Sequence, residues 1–399
     1  MAGISALAVA YVLSQFYRSF LAVLTPVLGV ELGVTKADLS IASGAFYLTF
    51  ALSQFPIGVA LDRIGPRKTV AIVLALGAGG GTLLFALATG PWMIVAATAL
   101  TGIGCGPVLM AALFIFARLY SPARFAMLAS WLVAFGTAGN VIGTAPLAYA
   151  EQAFGWRATM AGLCLVTLAV AAALYILVRD PERQCSESAQ PAGFSGYAEL
   201  LRMPVLWAIL PLMTFAYAPS IGIRGLWAGP YLADVFAADV LGIGRVTFFM
   251  ALAMVAGSFI YGPLDQFFGT RKWVAVGGTM LSMVSILALG AFPDDSVTAS
   301  TVLLMLVGLA GASYGLLMAH GRAFLPSHLI GRGVTLMNFF AIGGVALMQF
   351  ATGWVVTSSM VPEAPEAAYR ALFLFIGAVL GASLLIYLFS RDAKPDTVS

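Results

Sequence analysis

The stretch GVALDRIGPRK, residues 58–68, decides the fold, because a near copy, GPLDQFFGTRK, recurs at 262–272. Gly65, Arg67 and Lys68 match Gly269, Arg271 and Lys272 at an offset of 204, while Asp62 stands against Asp265 one residue out of register. Both copies are short polar links between long apolar runs. Arg124 and Arg332 make a further matched pair at an offset of 208. Polar links that return at nearly the same spacing mark a chain built of two related halves.

Outward from these links the chain is apolar. Of 399 residues, 61% are hydrophobic and only 9% are Asp, Glu, Lys or Arg, against about 45–50% and about 25% in soluble domains. So few charges cannot cover a water-soluble fold of this length. A net charge of +3 is no nucleic-acid-binding patch, and the composition is not that of a disordered chain. The lipid bilayer is therefore the expected surrounding. The runs are continuous and rich in Ala, Leu and Gly, not alternating, so they read as helices rather than barrel strands.

Twelve spans are expected, at about 4–28, 38–61, 70–89, 93–117, 125–148, 158–178, 204–231, 246–268, 273–292, 298–319, 333–357 and 368–390. The fold class is thus an all-α membrane protein with two pseudo-symmetric six-helix bundles, 1–178 and 204–399. The polar stretch 179–203 joins them as a linker loop. The first run carries Arg18 and Pro26 and reads as a retained span, not a cleaved leader. With both termini on the cytoplasmic side, 14 basic residues fall inside, 4 outside and 2 within spans. The positive-inside rule then sets that orientation, in a bacterial inner membrane.

The two basic residues within spans are Arg18 (VLSQFYRSFLAVL) and Arg224 (APSIGIRGLWAG). An Arg at the bilayer centre costs at least about 2.5–3.5 kcal/mol and persists only beside water or a partner. Their separation, 206 residues, falls between the two repeat offsets, so they occupy near-equivalent places in the halves. Each follows a tyrosine by seven residues, Tyr11 and Tyr217, about 10.5 Å along the same helix face. No Asp or Glu lies deep in any span. Two guanidiniums without carboxylates call for an anion from outside, since the planar fork of donors fits carboxylate or phosphate. The bland alternative is that each Arg bonds helix carbonyls or snorkels to an interface.

Other polar groups in the spans complete the candidate binding set. Gln15 lies one turn before Arg18, and Tyr47 and Gln54 share a face of span 2. Asn140 and Asn338, the only asparagines, lie in spans 5 and 11. Buried amides need partners, either substrate or another helix. Tyr314 in span 10 and Trp227 in span 7 are further candidates, although aromatic residues in spans more often pack or anchor. His320 and His328 are expected at the surface beyond span 10. Cys105, Cys164 and Cys185 have no paired spacing, so neither a disulfide nor a metal site is expected, and no cofactor.

In the 58–68 link, Gly58 is expected to let span 2 approach a neighbour and Gly65 to turn the chain. Asp62 is placed to meet Arg63 or Arg67 or to cap a helix. With Lys68, and with Asp265, Arg271 and Lys272 in the second copy, this is a candidate cytoplasmic gate.

These residues closely resemble the signature between helices 2 and 3 of the major facilitator superfamily, with a degenerate copy between helices 8 and 9. GTAGNVIGTAP at 136–146 is similar to that family's Gly/Pro-rich helix-5 motif, with Gly139-Asn140 where the motif has Gly-Pro. The Arg that many proton-driven drug exporters carry in helix 4 is missing from ATALTGIGCG, 97–106. The pairing of Arg18 with Arg224 resembles the organophosphate:phosphate antiporter branch, and Arg18 alone the anion:cation symporter branch. Spans 2 and 8 lack the arginines of the nitrate/nitrite branch.

The resemblance implies a secondary active transporter, not an enzyme, working by alternating access on a small anionic solute. The solute is a carboxylate or phosphate ester, with a counter-anion or a proton as co-substrate, and a monomer is expected. No deep acid or His offers a proton relay, so exchange, or symport of an already protonated substrate, is favoured. A multidrug or metabolite exporter with structural arginines and a non-transporting sensor on the same fold remain open. A membrane-embedded enzyme lacks any catalytic constellation.

Overall fold

A computed structural model describes residues 2–120, 122–180, 195–326, 329–361 and 363–393. Every regular element among them is helical. Ten helices are long and apolar enough to cross a membrane, and twelve if each of two bent pairs is one span. Span 1 is the pair Ala2–Phe16 and Phe20–Leu32, bent by 46°, and span 5 includes Trp131–Ile142 and Ala145–Phe154, bent by 43°. Spans 2, 3, 4 and 6 are Lys36–Leu61, Pro66–Ala86, Pro91–Leu119 and Trp156–Leu177. Spans 7 to 12 are Pro204–Phe236, Val240–Tyr261, Arg271–Ala291, Val297–Arg322, Arg332–Ser358 and Glu366–Tyr387. All twelve overlap the ranges expected from hydropathy.

The helix starts follow local chemistry. Span 2 opens with a capping box, in which the Thr35 hydroxyl accepts from the Asp38 N–H while Asp38 Oδ2 accepts from the Thr35 N–H. Spans 3, 4 and 7 open on Pro66, Pro91 and Pro204, whose missing N–H costs nothing in the first turn. Large apolar side chains such as Leu76, Phe267 and Trp354 point outward and are exposed, the surface a bilayer would cover.

The chain divides into two compact units. The first is Met1–Gln184 with Gly225–Ala233 and Ala238–Phe248, and the second is Cys185–Arg224 with Asp234–Ala237 and Phe249–Ser399. The boundary Gln184/Cys185 falls within the 179–203 stretch, most of which (181–194) lies outside the described residues. The short pieces of spans 7 and 8 in the first unit do not follow the sequence halves.

In the first unit, span 1 runs along span 5 through small residues. A Cβ at Gly136 would enter the Tyr11 ring, and one at Gly139 would enter the Val12 carbonyl. These glycines let the helices approach within side-chain distance. Span 3 carries a π-helical segment, Leu74–Gly79, where Gly77 lies against Gly104 of span 4.

Two polar ties recur, one set in each unit. Glu31, ending span 1, accepts from Trp156 Nε1 at 2.9 Å and from Arg157 Nη1 at 2.5 Å, both at the start of span 6. Asp234, near the end of span 7, accepts from the Tyr369 hydroxyl at the start of span 12. At the opposite end, Asp180 accepts from the Arg67 N–H at 2.8 Å. Asp392 accepts from the Lys272 N–H at 3.0 Å and the Thr270 hydroxyl at 2.5 Å. Both carboxylates belong to an Arg-Asp pair just after span 6 or span 12. Each serves as the anionic cap that the first turn of span 3 or span 9 lacks in its own sequence.

Candidate functional site

Arg18 sits in the break of span 1, between the helices ending at Phe16 and beginning at Phe20. Its N–H bonds the Gln15 carbonyl at 3.2 Å, a tighter turn than an α-helix makes. The guanidinium lies over the Phe50 ring, 4.7 Å from its centroid, a cation–π geometry. Tyr47 donates its hydroxyl to the Arg18 carbonyl at 3.1 Å. A Cβ on Gly225 would stand 2.7 Å from the same oxygen, so only glycine fits there.

These groups border a small, partly open cleft within the first unit. Its walls are Tyr17, Phe20, Phe46 and Tyr47, with Leu21 and Gly225, and its two small hydroxyls are Ser43 and Thr98. Among the described residues Arg18 is the one cation lining it, and no acid or amide does so. Tyr17 is anchored from behind. Thr167 gives its proton to the Leu163 carbonyl at 2.7 Å, so the Tyr17 hydroxyl is the donor in their 2.7 Å bond.

Arg224 lies in the second unit, within a π-helical turn, Ile223–Trp227, and is fully buried. Both intramembrane arginines thus sit where their helix leaves regular α geometry, span 1 at its break and span 7 at its π turn. Such irregular backbone is tolerated at membrane depth only where protein or water satisfies it. Beside Arg224, Gln349 Nε2 donates to the Gly222 carbonyl at 3.3 Å. In the same unit the Tyr217 and Tyr314 rings lie 5.4 Å apart, and Tyr314 donates to Asn338 Oδ1 at 2.7 Å.

Several expected site residues therefore gather in two places, Arg18 with Tyr47 and Tyr217 with Tyr314 and Asn338. Others are elsewhere. Tyr11 is buried against span 5. Gln15 and Gln54 are buried but do not line the cleft, and Asn140 is half-buried in span 5. Trp227 is fully buried. Phe50, Ser43, Thr98 and Gln349 were not expected. Ser43, Tyr47, Phe50 and Gln54 follow the i, i+4, i+7, i+11 spacing of one helix face, so the stripe was readable once Tyr47 was chosen.

The polar links differ in part from expectation. Gly65 has φ +102°, open to glycine alone, and Asp180 packs against it. The Arg67 guanidinium lies 4.8 Å from the Tyr175 ring centroid. Arg63 and Lys68 are exposed, and the side chain of Asp62 lies outside the described residues. No described residue comes within 4 Å of a Cβ at Gly58, so the close helix approach expected there is not made among them. In the second copy Arg271 pairs with Asp265 at 3.3 Å. Lys272 Nζ donates to the Leu388 and Ser390 carbonyls at 2.7 and 2.8 Å.

His320 corrects the surface expectation. It is fully buried. Its Nε2 lies 2.9 Å from the Arg391 carbonyl, which only accepts, so Nε2 carries the proton and Nδ1 accepts from Tyr387 at 2.7 Å. Helix-end position suggested exposure, but the segment after span 12 covers the ring. His328 lies outside the described residues.

The sequence pattern of the Major Facilitator Superfamily matches residues 7–227. The chain is 23% identical to the probable sulfoacetate transporter SauU of Cupriavidus necator, over 95% of this chain and 91% of that protein. It is 23% identical to the membrane sensor protein UhpC of Salmonella typhimurium, over 69% of this chain and 67% of that protein. The crystal structure of a D-xylose-proton symporter shares the fold, with a TM-score of 0.79 at 13% identity over 98% of both chains. The chain belongs to the Major Facilitator Superfamily, a family of membrane transporters, and is an integral membrane protein.

Proposed function

We propose that this protein is a secondary active transporter that moves a small organic anion by alternating access, with Arg18 and Arg224 as its cationic ligands. The observation that carries the reading is Arg18, held at a helix break beside a cleft that no acid lines among the described residues. A guanidinium at membrane depth, beside a cleft that no carboxylate lines among the described residues, can bond an entering oxyanion in two places through its planar fork. Arg224, near-equivalent in the repeat and also at a helix irregularity, is the counterpart from the other half. Sulfoacetate, for which SauU is named, is itself an organic anion, which supports the class.

In this reading two six-span halves, 1–178 and 204–399, alternate around the anion, with both termini cytoplasmic in an inner membrane. Tyr47 beside Arg18, and Tyr217, Tyr314 and Asn338 in the second unit, are the further ligands, while Tyr11, Gln15, Gln54 and Asn140, expected from the sequence, do not line the cleft. The links at 58–68 and 262–272 close the cytoplasmic side, the Asp265–Arg271 pair being one of their bonds. With no acid deep in a span, charge moves on the solute, so anion exchange or symport of a protonated solute is the mode. The test is uptake into proteoliposomes with the internal anion varied. Uptake that needs an internal anion supports exchange; uptake driven by a pH gradient with no counter-anion contradicts it.

A second reading has a specific observation in its favour, the similarity to a membrane sensor over 69% of this chain. A sensor would bind the anion through the same arginines without flux. Binding by the purified protein, with no transport in the same vesicles, would select it.

A further inference from the structure

We infer, building on the anion-binding reading above, that the cleft at Arg18 selects oxyanions carried on short, hydroxyl-poor bodies and disfavours polyhydroxylated ones. The argument is an accounting of donors and acceptors. A polyol that leaves water for this cleft needs a partner for each hydroxyl it buries, and each one left without a partner weakens binding.

Four hydroxyl residues line the cleft: Tyr17, Ser43, Tyr47 and Thr98. Three of them send their proton to protein. Tyr47 donates to the Arg18 carbonyl. Thr98 donates to the Ala42 and Val95 carbonyls, each at 2.9 Å. Tyr17 donates to Thr167 and is reached by Thr82 Oγ1 at 2.9 Å, so its oxygen also serves its own bundle. Of the first-unit amides in the candidate set, Gln15 and Gln54 are buried and Asn140 is half-buried, and none of the three lines the cleft. The guanidinium therefore carries the recognition, with little hydroxyl capacity beside it.

The rest of the wall is carbon. Phe20, Phe46 and Leu21 face the cleft, and Phe50 backs the guanidinium. This surface rewards an apolar body and offers hydroxyls little. The cleft is small and partly open to its surroundings, so a short body fits beside the guanidinium better than a long one. Carboxylates and sulfonates on short or aromatic bodies satisfy both conditions.

The test uses the full-length protein in lipid nanodiscs and isothermal titration. One set of probes is propionate, succinate, ethanesulfonate and benzoate, and the other is gluconate and glucose 6-phosphate. Arg18→Gln is titrated in parallel, with its folding checked by circular dichroism. The expected result is that at least one member of the first set binds about 10–100-fold tighter than both of the second, and that Arg18→Gln abolishes this binding. Gluconate or glucose 6-phosphate binding as tightly or tighter, and lost in Arg18→Gln, overturns the class inference while leaving the anion-binding reading standing. Binding by neither set, or binding that Arg18→Gln leaves unchanged, overturns both. A second variant, Phe46→Gln, adds a donor and an acceptor to the wall; a narrowed preference against gluconate supports the inference, and an unchanged preference contradicts it.

Discussion

Tyr47 of span 2 donates its hydroxyl to the main-chain carbonyl of Arg18, 3.1 Å away, at the break of span 1. The bond ties the backbone that carries the guanidinium to a neighbouring helix, so it helps fix where the charge sits. Tyr47→Phe keeps the ring and removes the donor. A neutral hydrogen bond contributes about 0.5–1.5 kcal/mol, so the variant is expected to fold normally and to raise KM for the transported anion about 2–12-fold, a range that follows from the tenfold-per-1.4 kcal/mol relation. Initial-rate uptake over a range of substrate concentrations checks it.

The Phe50 ring under the guanidinium makes a separate contribution. Cation–π contacts are worth about 0.5–2 kcal/mol. Phe50→Leu should weaken anion binding several-fold while preserving an apolar wall. Arg18→Lys should fare little better than Arg18→Gln, because an ammonium keeps the charge but loses the fork that bonds two oxygens. Titration of the three variants against one common anion ranks them; a Lys variant that binds as the parent does would contradict the bidentate reading.

Gly225 packs against the Arg18 carbonyl, and a Cβ there would lie 2.7 Å from that oxygen. Gly225→Val is expected to displace the Arg18 backbone or to keep this piece of span 7 from seating, and transport should fall at least tenfold, about 1.4 kcal/mol or more. Gly343→Ala is the control, since a Cβ at Gly343 meets nothing within 4 Å. Comparable loss in both would show that the effect is not local to Arg18.

Asp180 and Asp392 cap the first turns of spans 3 and 9 from outside those helices. Replacing either by Ala should cost about 0.5–2 kcal/mol, the usual worth of a cap, read as a lower Tm of the protein in detergent. For Asp392, burial works against the charge, but bonds from Thr270 and the Lys272 N–H outweigh it and hold the carboxyl below its ordinary 3.8. A carboxyl lowered in the folded state stabilises above its unfolded pKa and loses that effect as pH falls through the folded one. The Tm gap between parent and Asp392→Ala should therefore be full at neutral pH and shrink below about 3.8.

Much of the fold was legible because lipid imposes a strict rule, long apolar runs bounded by polar links, and the repeated links at 58–68 and 262–272 carried the pairing of halves. The candidate site was legible only where a residue is costly in its surroundings. Arg18 and Arg224 stand out in apolar runs, whereas Phe50, Phe20 and Phe46 are ordinary span residues until a helix break turns a charge toward them. Gly58 shows the limit of motif reasoning, since its place in the link did not reveal that nothing described packs against it. His320 and the caps at Asp180 and Asp392 depend on contacts between residues 60 to 120 positions apart. No local pattern encodes those, although the Arg-Asp pair after spans 6 and 12 was visible as a repeat.

The account rests on Arg18 as an anion ligand in a transporter, and counterflow tests it most directly. Proteoliposomes holding the parent protein, Arg18→Gln or Arg224→Gln are loaded with a candidate anion and diluted into the same anion carrying a trace label. Label accumulation by the parent, abolished in both variants while protein content and circular dichroism stay unchanged, is the predicted result. Accumulation that persists in Arg18→Gln would contradict it.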